Sequence, residues 1–131
     1  PDDIDGDSLL KLARGETDGW RPWLDLEHGR CYGPENHWNA LTDGRWKYIY
    51  HAHLGEEQLF DLDTDPDELT DLSKANPAET ARWRDRMIEH LSVRGEHFVK
   101  DGKLVVREES LLYGPNYPGT WEDAQKAGKT G

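Results

Sequence analysis

The amino-acid sequence predicts an α+β fold in which an antiparallel sheet of about four strands packs against one long C-terminal helix, with an irregular tail after it. Three observations carry this prediction. Apolar–polar alternation flanks a turn at Asp43-Gly44, a helix start occurs at Asn76, and a second hairpin turn occurs at Asp101-Gly102. We expect a single domain with a core of about residues 4–106 and an irregular tail over residues 107–131.

The strands follow from alternation and turn residues. A short helix that Asp7 caps and Gly15 ends precedes an alternating segment from Trp23 to Glu27. Residues 37–52 then read as a hairpin, because glycine tolerates the positive φ of a tight turn, and residues 58–62 supply a further strand. The aromatic residues of the second hairpin strand share one face: Trp46, Tyr48 and Tyr50.

The long helix is predicted from Asn76 to Arg94. Asn76 is a capping residue, Pro77 suits the first helical position, and Glu79 lies three residues after the cap. Gly95 is a stop signal. Apolar residues at a spacing of four make one stripe that we expect to pack on the sheet: Trp83, Met87 and Leu91.

Composition excludes several classes of function. The 16 Lys and Arg against 27 Asp and Glu give a net charge of −11, which repels nucleic acid and anionic membrane surfaces. No apolar run is long enough to cross a membrane, and no leader is recognisable. Six Trp and five Tyr argue against disorder. Because the chain starts at Pro1 rather than Met, we expect it to be a piece of a longer protein.

Two patterns resemble metal sites without completing one. Asp61-x-Asp63-x-Asp65 has the spacing of a calcium loop, but Pro66 stands where glycine is needed and Leu72 where a bidentate Glu is needed. We interpret it as a solvated turn. His51 and His53 share a strand face but lack a third ligand nearby, which favours histidines at a surface or cleft.

The residues alone do not predict a catalytic set. The single cysteine, Cys31, allows no internal disulfide and is interpreted as a buried or interfacial thiol. A second possibility is that the chain stacks sugars on aromatic rings, but such rings also build ordinary half-buried sheets, which we favour here. The rings concerned are Trp38, Trp46, Tyr48 and Tyr50.

The order of four motifs resembles the C-terminal region of the sulfatase family. These are SLLKLARGE at residues 8–16, WLDLEH at 23–28, LTDGRWKYI at 41–49 and GEEQLFDLDTDPDELTDL at 55–72. The sequence departs from the family with Asp71, where Asn is common. The tail is similar, more weakly, to the bacterial arylsulfatase-type branch.

The resemblance implies that the parent protein hydrolyses sulfate esters. In that family, a formylglycine made from Cys or Ser in a Cys/Ser-x-Pro-x-Arg motif attacks sulfur, aided by a calcium ion, and both belong to a larger N-terminal α/β domain. No Cys or Ser here has Pro two residues on. The resemblance therefore implies a C-terminal subdomain with no catalytic residue and no metal ligand, inactive alone, whose partner is the N-terminal catalytic domain. Family members are often periplasmic or secreted.

In the family this subdomain closes one wall of the substrate pocket. By position, His28 and His37 are the best candidates to contact substrate, and Arg30 and His51 are weaker ones. A sulfated carbohydrate or an aryl sulfate would be the substrate. Two alternatives stay open: a free-standing carbohydrate-binding module, and the C-terminal part of a related phosphonate or phosphodiester hydrolase.

Overall fold

The computed structural model describes residues 8–29 and 36–107. Within these ranges, two helices and six strands follow one another along the chain. They are α1 (Leu9–Ala13), β1 (Leu24–His28), β2 (Trp38–Thr42), β3 (Trp46–His51), β4 (Glu56–Asp61), α2 (Pro77–Ser92), β5 (Val99–Lys100) and β6 (Lys103–Leu104).

Four strands form one antiparallel sheet in the order β1-β2-β3-β4, which confirms the predicted fold class. Leu41 of β2 faces Tyr48 of β3, and Tyr48 faces Leu59 of β4. These three side chains are buried on the side of the sheet that packs against α2. We call this side the inner face.

The other side, the outer face, follows from strand alternation. Leu24 and Leu26 of the edge strand β1 lie on it and are 49% and 41% exposed. Ala40 and Phe60, in β2 and β4, are buried on the same side. The outer face also carries His28, Trp38, Ile49 and His51.

The turn between β2 and β3 differs from the prediction by one residue. The Asp43 backbone N–H donates to the Trp46 carbonyl at 3.3 Å, so Gly44 and Arg45 are the central residues rather than Asp43 and Gly44. The reason is that Asp43 Oδ1 accepts from the backbone N–H groups of Arg45 at 3.1 Å and Trp46 at 2.8 Å. Gly44 takes φ +96°, as the turn requires.

Helix α2 begins as predicted and ends at Ser92, two residues before the predicted end. Asn76 Oδ1 accepts from the backbone N–H of Glu79 at 3.3 Å. The predicted stripe is buried against the inner face and is confirmed: Trp83, Met87 and Leu91.

The second hairpin is confirmed, although its strands have only two residues each. Asp101 and Gly102 both have positive φ, +51° and +72°, the backbone that a two-residue hairpin turn needs. Phe98, Val99 and Leu104 pack against the core beneath α2.

The N-terminal helix α1 is also confirmed, with Ser8 at its cap position. Asp7, the predicted cap, lies outside the described residues, as does the predicted tail beyond Arg107. Of the helices in residues 8–29 and 36–107, none is long and apolar enough to cross a bilayer.

Candidate functional site

Three ring side chains from adjacent strands lie in one row across the outer face. Trp38 of β2 faces His28 of β1 on one side and His51 of β3 on the other. The His28 and Trp38 rings are stacked, with centroids 5.6 Å apart and planes 19° apart. The sheet therefore brings together two of the four predicted site residues, His28 and His51, around an aromatic ring that sequence reasoning had assigned to the core.

Hydrogen bonds orient both imidazoles of this row. His28 Nδ1 lies 2.8 Å from the carbonyl oxygen of Asn36, which can only accept, so Nδ1 carries a proton. His51 Nε2 lies 2.7 Å from Gln58 Oε1, so this nitrogen is the donor. In its neutral form each ring then has a lone pair on its second nitrogen. Such a row can hydrogen-bond a polar group and pack against an apolar ring at once.

His37 lies on the opposite side of the sheet from this row. It directly precedes Trp38, so the alternation of the strand turns it away from the outer face. The side chain is 5% exposed, and its Nε2 lies 3.4 Å from Nη2 of Arg107. The same Nη2 donates to Asn39 Oδ1. The structure therefore separates His37 from His28, although the sequence places both beside the same loop.

Arg107 was missed by sequence reasoning. It ends the second hairpin segment, where an arginine at the edge of a short strand is ordinarily solvent-exposed. Its burial arises because its backbone N–H bonds the Ala52 carbonyl at 2.6 Å and draws the side chain under β2 and β3. The sequence contains no signal for this long-range contact.

Two predicted residues lie outside the described part of the chain: Arg30, a candidate for substrate contact, and Cys31. Their predictions remain predictions.

The acidic residues at the end of β4 and just after it, which have the spacing of a calcium loop, form hydrogen bonds with neighbouring residues of the fold. Arg45 donates to both carboxylate oxygens of Asp61, at 3.3 and 3.1 Å, and these hydrogen bonds hold the pKa of Asp61 below its usual value. Asp65 Oδ2 accepts from the backbone N–H of Thr70 at 2.7 Å and helps shape the turn. No group of three or more His, Cys, Asp or Glu side chains within residues 8–29 and 36–107 is placed to hold a metal ion.

A second polar cluster joins the inner face to α2. Arg84 donates to Glu57 at 2.5 and 2.6 Å, and the Tyr48 hydroxyl donates to the same carboxylate at 2.5 Å. Burial opposes ionisation of Glu57, but the bonds from Arg84 and Tyr48 outweigh it and lower the pKa of Glu57. Burial, together with the Glu57 carboxylate, raises the pKa of Tyr48.

A cavity of about 380 Å³ adjoins this cluster, with Ser73 and Lys74 also in its wall. Glu57 stays ionised and Tyr48 stays protonated across the neutral range, so neither is suited to exchange a proton during a reaction there. We interpret this cluster as structural.

The proposed sugar-stacking platform is not formed by the four rings considered for it. Tyr48 and Tyr50 are buried in the core on the inner face, whereas Trp38 lies on the outer face. Side chains on opposite faces of a sheet cannot stack on one ligand.

Curated proteins similar to this chain include sulfatases, although no protein-family model matches the chain. The chain is 32% identical to an arylsulfatase of Clostridium perfringens over 107 residues, which is 80% of this chain and 22% of that protein. It is 36% identical to a choline-sulfatase of Rhizobium meliloti over 132 aligned residues, 94% of this chain and 25% of that protein. The chain thus spans about a quarter of the length of these relatives.

Solved structures share the fold. A 2-O GAG sulfatase matches with a TM-score of 0.63 and 23% identity, over 76% of this chain and 23% of that one. A phosphonate monoester hydrolase of Agrobacterium radiobacter matches with a TM-score of 0.50 and 22% identity, over 79% of this chain and 25% of that one.

Proposed function

Because this chain is a sulfatase-family fragment and corresponds to the C-terminal subdomain of those enzymes, we propose that the longer protein containing it hydrolyses sulfate esters. One observation carries this proposal: the chain is 36% identical to a choline-sulfatase over 94% of its own length. The nucleophile, a formylglycine, and a calcium ion would lie in the N-terminal catalytic domain. There, the formylglycine residue would supply the attacking oxygen, and the calcium ion would stabilise negative charge on the sulfate group.

The role we propose for this chain is to dock onto the catalytic domain through its outer face. The inner face is occupied by α2, whereas β1 exposes the apolar side chains of Leu24 and Leu26 on the outer face. Burying such side chains on a second domain is favourable, at about 25 cal/mol per Å². The relatives contain about three-quarters of their length beyond the matched part, which is ample for that second domain.

We further propose that the His28–Trp38–His51 row lines the substrate pocket. The row lies on the same face as the exposed leucines, so docking through this face would bring it to the domain seam, where ligand sites commonly form. The imidazoles would hydrogen-bond the alcohol part of the ester and the Trp38 ring would pack against its apolar side. Arg30 remains a candidate for substrate contact, whereas His37 lies on the opposite side of the sheet and is not part of this row.

A related hydrolysis, that of phosphonate or phosphate diesters, is the second candidate function. The fold similarity to a phosphonate monoester hydrolase supports it. Both reactions place an anionic tetrahedral group in the pocket, so this chain would serve them with the same docking face.

The experiment compares substrates in the full-length protein. We expect release of 4-nitrophenol from 4-nitrophenyl sulfate at a higher kcat/KM than from 4-nitrophenyl phenylphosphonate. The reverse order would favour the second candidate. The chain alone should turn over neither substrate, and turnover by it that is lost on Cys31→Ser would overturn the assignment.

Three variants test the row in the same protein. Trp38→Ala, His28→Gln and His51→Gln should each lower kcat/KM by about tenfold, the order of effect of losing a positioning contact. His97→Gln is the matched control, because His97 is exposed and does not belong to the outer face. If all three variants fold, as judged by circular dichroism, and equal the control in kcat/KM, the row does not line the pocket.

A further inference from the structure

The guanidinium of Arg107 is a buried cation that bonds no carboxylate within residues 8–29 and 36–107. Its residue is 2% exposed, and its only bonded side-chain partners within the described residues are Asn39 and His37. The Nε and Nη1 atoms are buried, and no described residue accepts a hydrogen bond from them. Since a buried N–H group without an acceptor is strongly unfavourable, two such groups on one cation call for a ligand.

The surrounding charges do not supply that ligand. Glu27 is the acidic residue whose charge acts most on Arg107, but it bonds Arg94 at 2.8 and 3.3 Å. Arg94 and Arg107 also lie near the same ring, that of Phe98, with their Cζ atoms 3.9 and 4.5 Å from its centroid. Two guanidinium groups therefore meet around one aromatic ring, and the one carboxylate near them, Glu27, is bonded to Arg94 alone among the described residues. These three charged groups sum to one positive charge in a chain whose net charge is −11.

Other arginines show what a satisfied guanidinium looks like in this fold. Several bond a carboxylate directly at 3.2 Å or less: Arg45, Arg82, Arg84 and Arg94. These side chains are all more exposed than Arg107, so water could have served them. Arg107, the most buried arginine of the described residues, thus differs from these four in having no bonded carboxylate among those residues.

We propose that Arg107, with Asn39 and His37, forms a binding site for an oxyanion, either a carboxylate or a sulfate group. Nε–H and Nη1–H lie on different sides of the guanidinium and each lacks an acceptor, so an anionic oxygen on either side would accept a charge-assisted hydrogen bond from a buried cation. Asn39 accepts from Nη2 and holds the guanidinium in place, while Nε and Nη1 have no acceptor among the described residues. His37 Nε2 faces an Arg107 N–H, so it acts as acceptor and the proton of the neutral ring lies on Nδ1.

The site is distinct from the row proposed to contact substrate. His28, Trp38 and His51 lie on the outer face, whereas Asn39 and His37 turn the other way. The oxyanion could come from solution or from a carboxylate elsewhere in the longer protein, and the chemistry is the same for both. The proposal does not depend on which ester the parent protein hydrolyses.

Melting temperatures test the proposal. In the 131-residue chain, sodium sulfate or sodium acetate should raise the melting temperature by about 3 °C or more over sodium chloride of equal ionic strength. Arg107→Met should lose this increment, and Arg94→Met, on the same phenylalanine ring, should keep it. General salt effects on hydrophobic burial act on all three proteins and cancel in the comparison.

Two measurements of melting temperature identify the source of the anion. A response of the chain itself to added sulfate or acetate assigns the site to a free oxyanion. A carboxylate from the rest of the protein is assigned if the chain does not respond, while Arg107→Met raises the melting temperature of the chain and lowers that of the full-length protein. In that case removing an unpaired buried charge stabilises the chain, and removing a paired one destabilises the complete protein.

The proposal is overturned if Arg107→Met raises the melting temperature of both proteins and leaves any anion response unchanged. Should the methionine variant fail to fold, Arg107→Gln takes its place, because it removes the cation and keeps a polar side chain. A glutamine variant that responds to sulfate and acetate as the unmodified chain does would overturn the proposal equally.

Discussion

Glu57 of β4 and Arg84 of α2 form a two-point ion pair, with Nε and Nη2 of Arg84 at 2.5 and 2.6 Å from the two carboxylate oxygens. The hydroxyl of Tyr48 on β3 donates to the same carboxylate. One acidic side chain therefore joins the helix to two neighbouring strands of the sheet. Charge-assisted bonds of this kind are stronger than neutral ones, and their loss is measurable.

Glu57→Gln should lower the free energy of unfolding by about 1–2 kcal/mol, because a neutral amide cannot accept both bonds from Arg84 and the bond from Tyr48. The expected loss is modest because Arg84 is partly exposed and water can solvate it. Urea denaturation measures the change. Glu89→Gln is the matched control on the exposed side of α2, with an expected change below about 0.5 kcal/mol. Equal losses in the two variants would refute a special role for the pair.

Acid should destabilise the fold through its carboxylates. The pKa values of Glu57, Asp61 and Asp71 are all lowered, from ordinary values of 4.5 for Glu and 3.8 for Asp. The unfolded chain therefore binds protons first as pH falls. The stability from these groups is complete above their unfolded pKa values and is lost as pH falls through the folded ones. Urea midpoints at pH 7, 5 and 3.5 should decline, with a shallower decline in Glu57→Gln.

Two glycines with the same backbone angle allow a matched test of steric contact. Gly55 and Gly102 both have φ +72°, but a Cβ on Gly55 would lie 2.8 Å from Cγ2 of Val106, whereas a Cβ on Gly102 would meet nothing within 4 Å. Gly102→Ala should lower the free energy of unfolding by about 1–2 kcal/mol through backbone strain alone. We expect Gly55→Ala to lower it further, and Gly55→Ala with Val106→Ala to return it to the Gly102→Ala value. Thermal unfolding of the three variants measures these changes. Equal free energies of unfolding for Gly55→Ala and Gly102→Ala would contradict a steric contact with Val106.

Docking through the outer face predicts an effect that only the full-length protein shows. Leu26→Thr keeps a strand-forming residue but removes apolar surface, so the isolated chain should change by less than about 0.5 kcal/mol. The full-length protein should lose about 1–2 kcal/mol, since the leucine is then buried between domains. Val93→Thr is the control, because Val93 is 87% exposed at the end of α2, away from the outer face. If Leu26→Thr and Val93→Thr act alike in the full-length protein, another face makes the contact.

The sheet, its inner core and α2 could be predicted because their signals are local. Alternation placed Tyr48 on a buried face, and the cap at Asn76 placed the helix start. The first turn was predicted one residue early. The prediction used only the preference of glycine for tight turns and took no account of the Asp43 side chain, which accepts hydrogen bonds from two backbone N–H groups of the turn.

The candidate site was harder to predict because it depends on strand pairing. The sequence selected His28 and His51 but could not show that Trp38 lies between them, since this requires the register of three strands. The burial of Arg107 depends on its contact with Ala52, far away along the chain. A local pattern carries no information on such a contact.

The spatial order of the four sheet strands is also their order along the chain. Each strand finds its partner immediately before or after it, so forming the sheet closes only short loops and its strand pairings are local in sequence. Domains of this kind fold rapidly, because little chain entropy is lost before contacts form. We therefore expect the sheet to re-form quickly after dilution from urea, with folding limited by the later docking of α2 and the second hairpin rather than by strand pairing.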